Sequence, residues 1–301
     1  MAGKADSVRT ILYALGANLA IAVAKSVAAA FTGSSAMLAE AIHSFADCGN
    51  QALLLVGMKQ AKRAPSPDYP LGYGKAIYFW SFIVALVLFS LGGLFSIYEG
   101  THKFSQPEPL SHPWVAVGVL VFGIAAETVS LRACLVEIAK VRGNRSLWRW
   151  FRESRQSELV VILGEDIAAE VGLVLALIAV LATIVTGNPI FDALGSIAIG
   201  IVLVIVAIGL AVEIHGLLIG QSAEPDTEAA IRRFIEQRQE VASVLRMITL
   251  QLGGNVMVAV KVHMRDENAG AMVGSINRIE AAVREAFPEI QWLFFEPDVT
   301  D

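Results

Sequence analysis

Apolar runs of about twenty residues recur six times along this 301-residue chain, at about 11–31, 36–58, 77–99, 114–138, 158–186 and 190–217. A helix needs roughly 20 apolar residues to cross the hydrocarbon core of a bilayer. The spacing therefore predicts a membrane α-helical protein, a six-transmembrane-helix bundle filling residues 1–217. The first run follows only Lys4 and Arg9 and is too long for a signal-peptide core, so it is expected to stay as an anchor. A composition of 55% hydrophobic and 17% charged residues lies on the membrane side of soluble averages.

The few charges are placed unevenly. Lys59, Lys62, Arg63 and Lys75 flank the loop between the second and third spans, and Lys140, Arg142, Arg145, Arg149, Arg152 and Arg155 crowd the loop after the fourth. The intervening loops "TGSS" and "TGNPIFD" carry no Lys or Arg, and "GTHKFSQPEPLSHP" has only Lys103. The positive-inside rule then puts both basic loops and both termini in the cytoplasm. Tyr78, Trp80, Trp114, Trp148 and Trp150 fall near span ends, where amphipathic aromatics favour the headgroup layer. Cys48 and Cys134 lie within predicted helices and form neither a CxxC pair nor a disulfide framework.

From about residue 218 the pattern changes, predicting a second, cytoplasmic domain over 218–301. "SAEPDTEAAIRRFIEQRQE" reads as an amphipathic helix with Pro225 in its first turn. "VASVLRMITLQL" and "NVMVAVKVHMR" meet across Gly253 and Gly254 as a hairpin, the second strand alternating Val256, Val258, Val260, Val262 and Met264 with wetter residues. A helix over about 270–286 and a strand in "QWLFFEP" complete an α+β domain, αββαβ and ferredoxin-like, with both helices on one sheet face. Its core is modest for about 80 residues, which leaves room for burial against a second copy.

Ionisable residues interrupt the apolar runs. The second span holds Glu40, His43, Asp47 and Asn50; the fifth holds Glu165, Asp166 and Glu170; Glu127 lies in the fourth and Lys25 in the first. A charge at the bilayer centre costs at least about 2.5–3.5 kcal/mol, so each such residue is a functional hypothesis by default. His43 and Asp47 are i and i+4, neighbours on one helix face, and Asp166 and Glu170 repeat the spacing. Two such helices packed together would converge one imidazole and several carboxylates, a mixed N/O set suited to a borderline dication such as Zn²⁺ and unlike a Cu(I) site. Glu40, Asn50, Glu165, Glu127 and Lys25 are read as accessory or structural, with Lys25 and Glu127 as a pair between the first and fourth spans.

"TGSSAMLAEAIHSFADCGNQALLLVGMKQAKR" and "YPLGYGKAIYFWSFIVALVLFSLGGLFSIYEG" resemble the cation diffusion facilitator (cation efflux) family, in its zinc-transporter-like branch with "ED-x-A-A" in the fifth span. The likeness covers nearly the whole chain. It implies a homodimer, joined through the C-terminal domain and membrane helices, that exports divalent metal in exchange for protons from a tetrahedral site on the second and fifth spans. The family's second-span pair falls on His43 and Asp47. In the fifth span, counting back from Gly172 puts the family Asp on Asp166 and leaves Ile162 where a histidine is usual; an alternative register makes Asp166 and Glu170 the pair. The metal set implied is His43, Asp47, Asp166 and Glu170, with water as the alternative fourth donor. The family's loop histidines are replaced by Tyr69 and Tyr73, so no metal site is expected there, and His263, His102, His112 and His215 read as exposed or interfacial.

The function expected is a zinc/proton antiporter working by alternating access in a bacterial inner membrane, with no cofactor besides the transported ion and no nucleic-acid partner. Mn²⁺, Fe²⁺, Co²⁺ or Cd²⁺ as cargo, or a non-transporting metal-sensing role, are the alternatives. An intramembrane metallohydrolase would need an HExxH run or its equivalent, and there is none.

Overall fold

The computed structural model describes residues 4–265 and 268–300; the expected domain end at Asp301 lies outside them. The chain divides into two compact units. One comprises residues 1–56, 80–145 and 158–213; the other comprises 57–79, 146–157 and 214–301.

The helices with most of their residues in the first unit are α1 (Lys4–Thr32), α2 (Ser35–Ala61), α3 (Ala76–Val87), α4 (Phe95–Ser105), α5 (Pro113–Arg142), α7 (Ser157–Thr186) and α8 (Ile190–Ile219). A π-helical segment, Leu88–Leu94, joins α3 to α4, making one 30-residue rod over Ala76–Ser105. At 1.5 Å per residue such a rod is about 45 Å long, more than a hydrocarbon core requires. Among the described residues, four helices are long and apolar enough to cross a membrane: Ala76–Ser105, α5, α7 and α8. In α1 the described apolar stretch, Asn18–Thr32, is shorter. In α2 the polar residues His43, Asp47, Asn50 and Gln51 dilute the apolar run.

Outward and inward faces differ in kind. On α8, Ile201, Ile205, Ile208 and Val212 are exposed, an apolar surface suited to acyl chains. The rod packs on α8 nearly backbone to backbone: a Cβ on Gly200 would stand 2.7 Å from the Gly93 carbonyl, and one on Gly100 would stand 2.8 Å from that of Ala193. Small residues permit this approach. The turn between α1 and α2 uses Gly33 at φ +64°, and Asp192 caps α2 by accepting from the Ser35 N–H at 2.6 Å and from the Ser34 hydroxyl.

The second unit contains the helix α9 (Pro225–Glu236), the strands β1 (Val241–Leu252) and β2 (Asn255–Met264), the helix α10 (Ala269–Ala286) and the strand β3 (Ile290–Pro297). The sheet order is β1-β2-β3, with β1 antiparallel and β3 parallel to β2. Pro225 opens α9, and Gly253–Gly254 makes the hairpin turn, as expected. Val256, Val258, Val260 and Val262 point into a core shared by Ile231 and Ile235 of α9 and Ile279 and Val283 of α10. Both helices thus cover one sheet face, as the alternation predicts. The short α6 (Leu147–Glu153), unanticipated, starts where the Ser146 hydroxyl accepts from the Arg149 N–H and buries Trp150. In the 57–79 segment Tyr69 and Tyr73 pack with ring centroids 4.6 Å apart.

Candidate metal site

The polar face of α2 is a single stripe. Glu40, His43, Ser44 and Asp47 stand at i, i+3, i+4 and i+7, so helical geometry stacks them along one side. Packing turns that side inward: Glu40 and His43 are fully buried, as is Asn50 one turn further. His43 Nε2 lies 3.5 Å from Asp47 Oδ2, so the expected i,i+4 pair is in contact. A Cβ on Gly92, within the π-helical segment, would stand 3.9 Å from His43 Nδ1.

On α7 the acidic residues take separate partners. Glu165 Oε1 accepts from Asn50 Nδ2 at 2.5 Å. Asp166 Oδ1 accepts from the Ser130 hydroxyl at 3.4 Å, and Glu170 Oε1 from the Thr128 hydroxyl at 2.9 Å. Both hydroxyls belong to α5, which therefore aims the α7 carboxylates.

Lys25 departs from expectation. Its ammonium, fully buried, does not pair with Glu127; it lies 3.3 Å from Glu40 Oε2 and donates to the Ser44 hydroxyl at 2.8 Å. The reason is local: Glu40 and Ser44, one turn apart on α2, present two acceptors side by side, whereas α5 offers Glu127 alone.

A cavity of about 30 Å³ lies among these helices, lined by Asn18, Ile21, Ser44, Asp47, Gln51, Glu127, Ile162, Glu165, Asp166 and Ala169. A polar space of that size admits water. Four carboxylates from α2, α5 and α7 reach it. Ile162 lines it too, the position where the family resemblance expects a histidine. His43, Glu170, Glu40 and Lys25 do not line it. Among the described residues no three His, Cys, Asp or Glu side chains come together closely enough to hold a metal. The convergence on one point expected from spacing is thus only partial, because Ser130, Thr128, Asn50 and Lys25 each hold one carboxylate on its own bearing.

Among the described residues, several buried polar atoms lack a hydrogen-bond partner: His43 Nδ1 and Nε2, Asp47 Oδ1, Asp166 Oδ2, Glu170 Oε2, Glu40 Oε1 and Asn50 Oδ1. Buried polar groups are ordinarily satisfied, and a concentration of exceptions marks a place built for something else. Unused lone pairs of one imidazole and several carboxylates are suited to binding cations. Sequence reasoning passed over Ser44, Thr128 and Ser130. The i,i+4 spacing of Glu40 and Ser44 was a usable signal; the two hydroxyls on α5 follow Glu127 closely but resemble ordinary helix serines and threonines.

The cation efflux transmembrane domain matches residues 11–219. This chain belongs to the cation efflux family. With its membrane-capable helices, this cation efflux protein is a multi-pass membrane protein. It is 34% identical over 222 residues to the mitochondrial proton-coupled zinc antiporter SLC30A9 of Xenopus laevis, a match covering 73% of this chain and 40% of that protein. It is 30% identical over 244 residues to metal tolerance protein C4 of Arabidopsis thaliana, covering 79% of this chain and 52% of the plant protein. The magnetosome protein MamB of Magnetospira sp. (strain QH-2) is 25% identical over 257 residues, 84% of this chain and 82% of that protein. The chain thus spans 40% and 52% of the length of the frog and plant relatives.

Proposed function

We propose that this cation efflux protein exports divalent metal, with zinc as its main cargo, in exchange for protons by alternating access through six spans. The observation that carries this reading is the meeting of Asp47 from α2 with Asp166 from α7 on one buried polar cavity, each with a carboxylate oxygen that no group among the described residues satisfies. The frog relative named a proton-coupled zinc antiporter supports it.

His43, Asp47 and Asp166 supply three donors. Metal binding requires neutral imidazole and ionised carboxylates, so protons and metal compete for the same lone pairs. Facing the cytoplasm, the site loads metal; facing a more acidic outside, protons displace it. One pH unit is worth about 1.4 kcal/mol per proton, enough to drive uphill export. The fourth donor in this reading is Glu170, one helical turn from Asp166. A second reading puts Glu165 in that role, favoured because Glu165 lines the cavity and Glu170 does not. The C-terminal domain, residues 218–301, is cytoplasmic and, together with the membrane helices, joins two copies into a homodimer, with both termini cytoplasmic in a bacterial inner membrane.

Zinc flux into proteoliposomes under an imposed pH gradient tests the proposal. Asp47→Ala and Asp166→Ala are each expected to abolish it, and full uptake by either variant ends the reading. Glu165→Gln and Glu170→Gln decide the fourth donor, since the one that is a ligand loses flux. Competition with manganese, iron, cobalt and cadmium ranks the cargo.

A further inference from the structure

We infer that Lys25 determines the metal preference of this site by acting as an internal ammonium that keeps Glu40 out of the donor set. The inference rests on the cation-transport reading above. Lys25 enters from α1, fully buried, and its stem passes α5, where a Cβ on Gly123 would stand 3.5 Å from Lys25 Cε. Its ammonium holds one oxygen of Glu40, at 3.3 Å, and the Ser44 hydroxyl, at 2.8 Å. The other oxygen of Glu40, Oε1, is buried without a hydrogen-bond partner among the described residues and lies against Gly172 of α7, where any Cβ would collide with it.

Glu40 therefore has the attributes of a cation donor: a desolvated carboxylate with a spare oxygen, directed at α7, on the α2 stripe that carries His43 and Asp47. What separates it from a ligand is the cation it already holds. An incoming dication at the spare oxygen would face an ammonium on the other oxygen of the same carboxylate, so Lys25, covalently tethered and hydrogen-bonded to Ser44, neutralises Glu40 and repels the ion. The donor set is then one carboxylate poorer than the buried residues alone would make it. Carboxylate-rich sets suit manganese better than zinc, which favours imidazole in a tetrahedral set. Lys25 accordingly tips the site toward zinc. A purely structural ion pair would affect folding and total flux but would be indifferent to which metal is carried.

The experiment is competitive zinc and manganese flux in proteoliposomes by the full chain, comparing wild type, Lys25→Met, Lys25→Gln and the double variant Lys25→Met/Glu40→Gln. Lys25→Gln keeps a hydrogen-bond donor for Glu40 and Ser44, and so guards against loss of folding in the methionine variant. The single variants are expected to raise the manganese-to-zinc ratio by about threefold or more, and the double variant to return it to that of wild type. A ratio unchanged in both single variants, or shifted as far in the double variant as in the singles, overturns the assignment while wild-type flux leaves the transport reading intact. Absence of flux of any dication by wild type overturns both.

Discussion

Asn50 donates to Glu165 Oε1 across 2.5 Å, joining α2 to α7 at the wall of the polar cavity. Asn50 is fully buried and Glu165 nearly so, so the amide is what satisfies that carboxylate oxygen. Asn50→Leu leaves it unpaired, at a cost of about 1–3 kcal/mol. Thermal unfolding in detergent should show a lowered midpoint for Asn50→Leu, and adding Glu165→Gln should recover part of the loss, since the pair is coupled. Additive effects of the two substitutions would show that the bond contributes nothing.

Gly74 is the point where the segment before α3 meets the sheet hairpin. A Cβ there would run into the Leu252 carbonyl and come within 3.3 Å of the Gly253 nitrogen, while a Cβ on Gly254 meets nothing within 4 Å. Backbone cannot swing aside as a side-chain tip can. Gly74→Ala is expected to destabilise the protein by about 2 kcal/mol through forced displacement of the turn, and Gly254→Ala to leave the unfolding midpoint in place. Equal behaviour of the two alanine variants in thermal unfolding would refute the contact.

Arg155 is 8% exposed, with Nε donating to the Ser222 carbonyl at 2.7 Å and Nη1 to the Glu153 carbonyl at 2.8 Å. The fork fixes the chain entering α7 to the segment preceding α9. Lysine keeps the charge and cannot reproduce two divergent planar donors. Arg155→Lys is therefore expected to lose about 1–2 kcal/mol in chemical unfolding, as a hydrogen bond from a charged donor is lost. A wild-type midpoint for the lysine variant would assign the effect to charge alone.

Lys261 Nζ lies 2.9 Å from Asp298 Oδ2 on the sheet unit. That hydrogen bond, with the N–H groups of Val299 and Thr300, holds the Asp298 carboxyl below the usual aspartate range. A carboxyl depressed on folding stabilises the protein above the unfolded value, about 3.9, and that contribution is lost as pH falls through the folded value. Asp298→Asn should thus unfold slightly earlier than wild type at pH 7, the effect being small because the pair is solvent-facing. The two midpoints should merge once pH drops below the folded value. A difference that persists at the acid end, or one absent at pH 7, would contradict the assignment.

Much of this architecture is legible in residue order. Pro225 opens α9, the Gly253–Gly254 pair turns the hairpin, and the valines of β2 alternate as spaced, because each depends on backbone preference or a two-residue period. The contact of His43 with Asp47 is equally local, a property of one helix face. The π-helical segment at Leu88–Leu94 and the short α6 were not legible. The first coincides with backbone packing of Gly93 against Gly200, and the second is held by burial of Trp150; both relations span distant parts of the chain. The Lys25 partner was misassigned for the same reason: α1 has carboxylates near it on two helices, and only their rotation selects one.

Residue order alone established that ionisable side chains stand inside apolar helices at one-turn spacing, since hydropathy and helical period are properties of a single segment. Tertiary packing decided which carboxylates open onto the shared cavity, which are held by α5 hydroxyls and which faces the buried ammonium. Those outcomes depend on how each helix is turned about its own axis, and that angle is set by the side chains it meets on its neighbours.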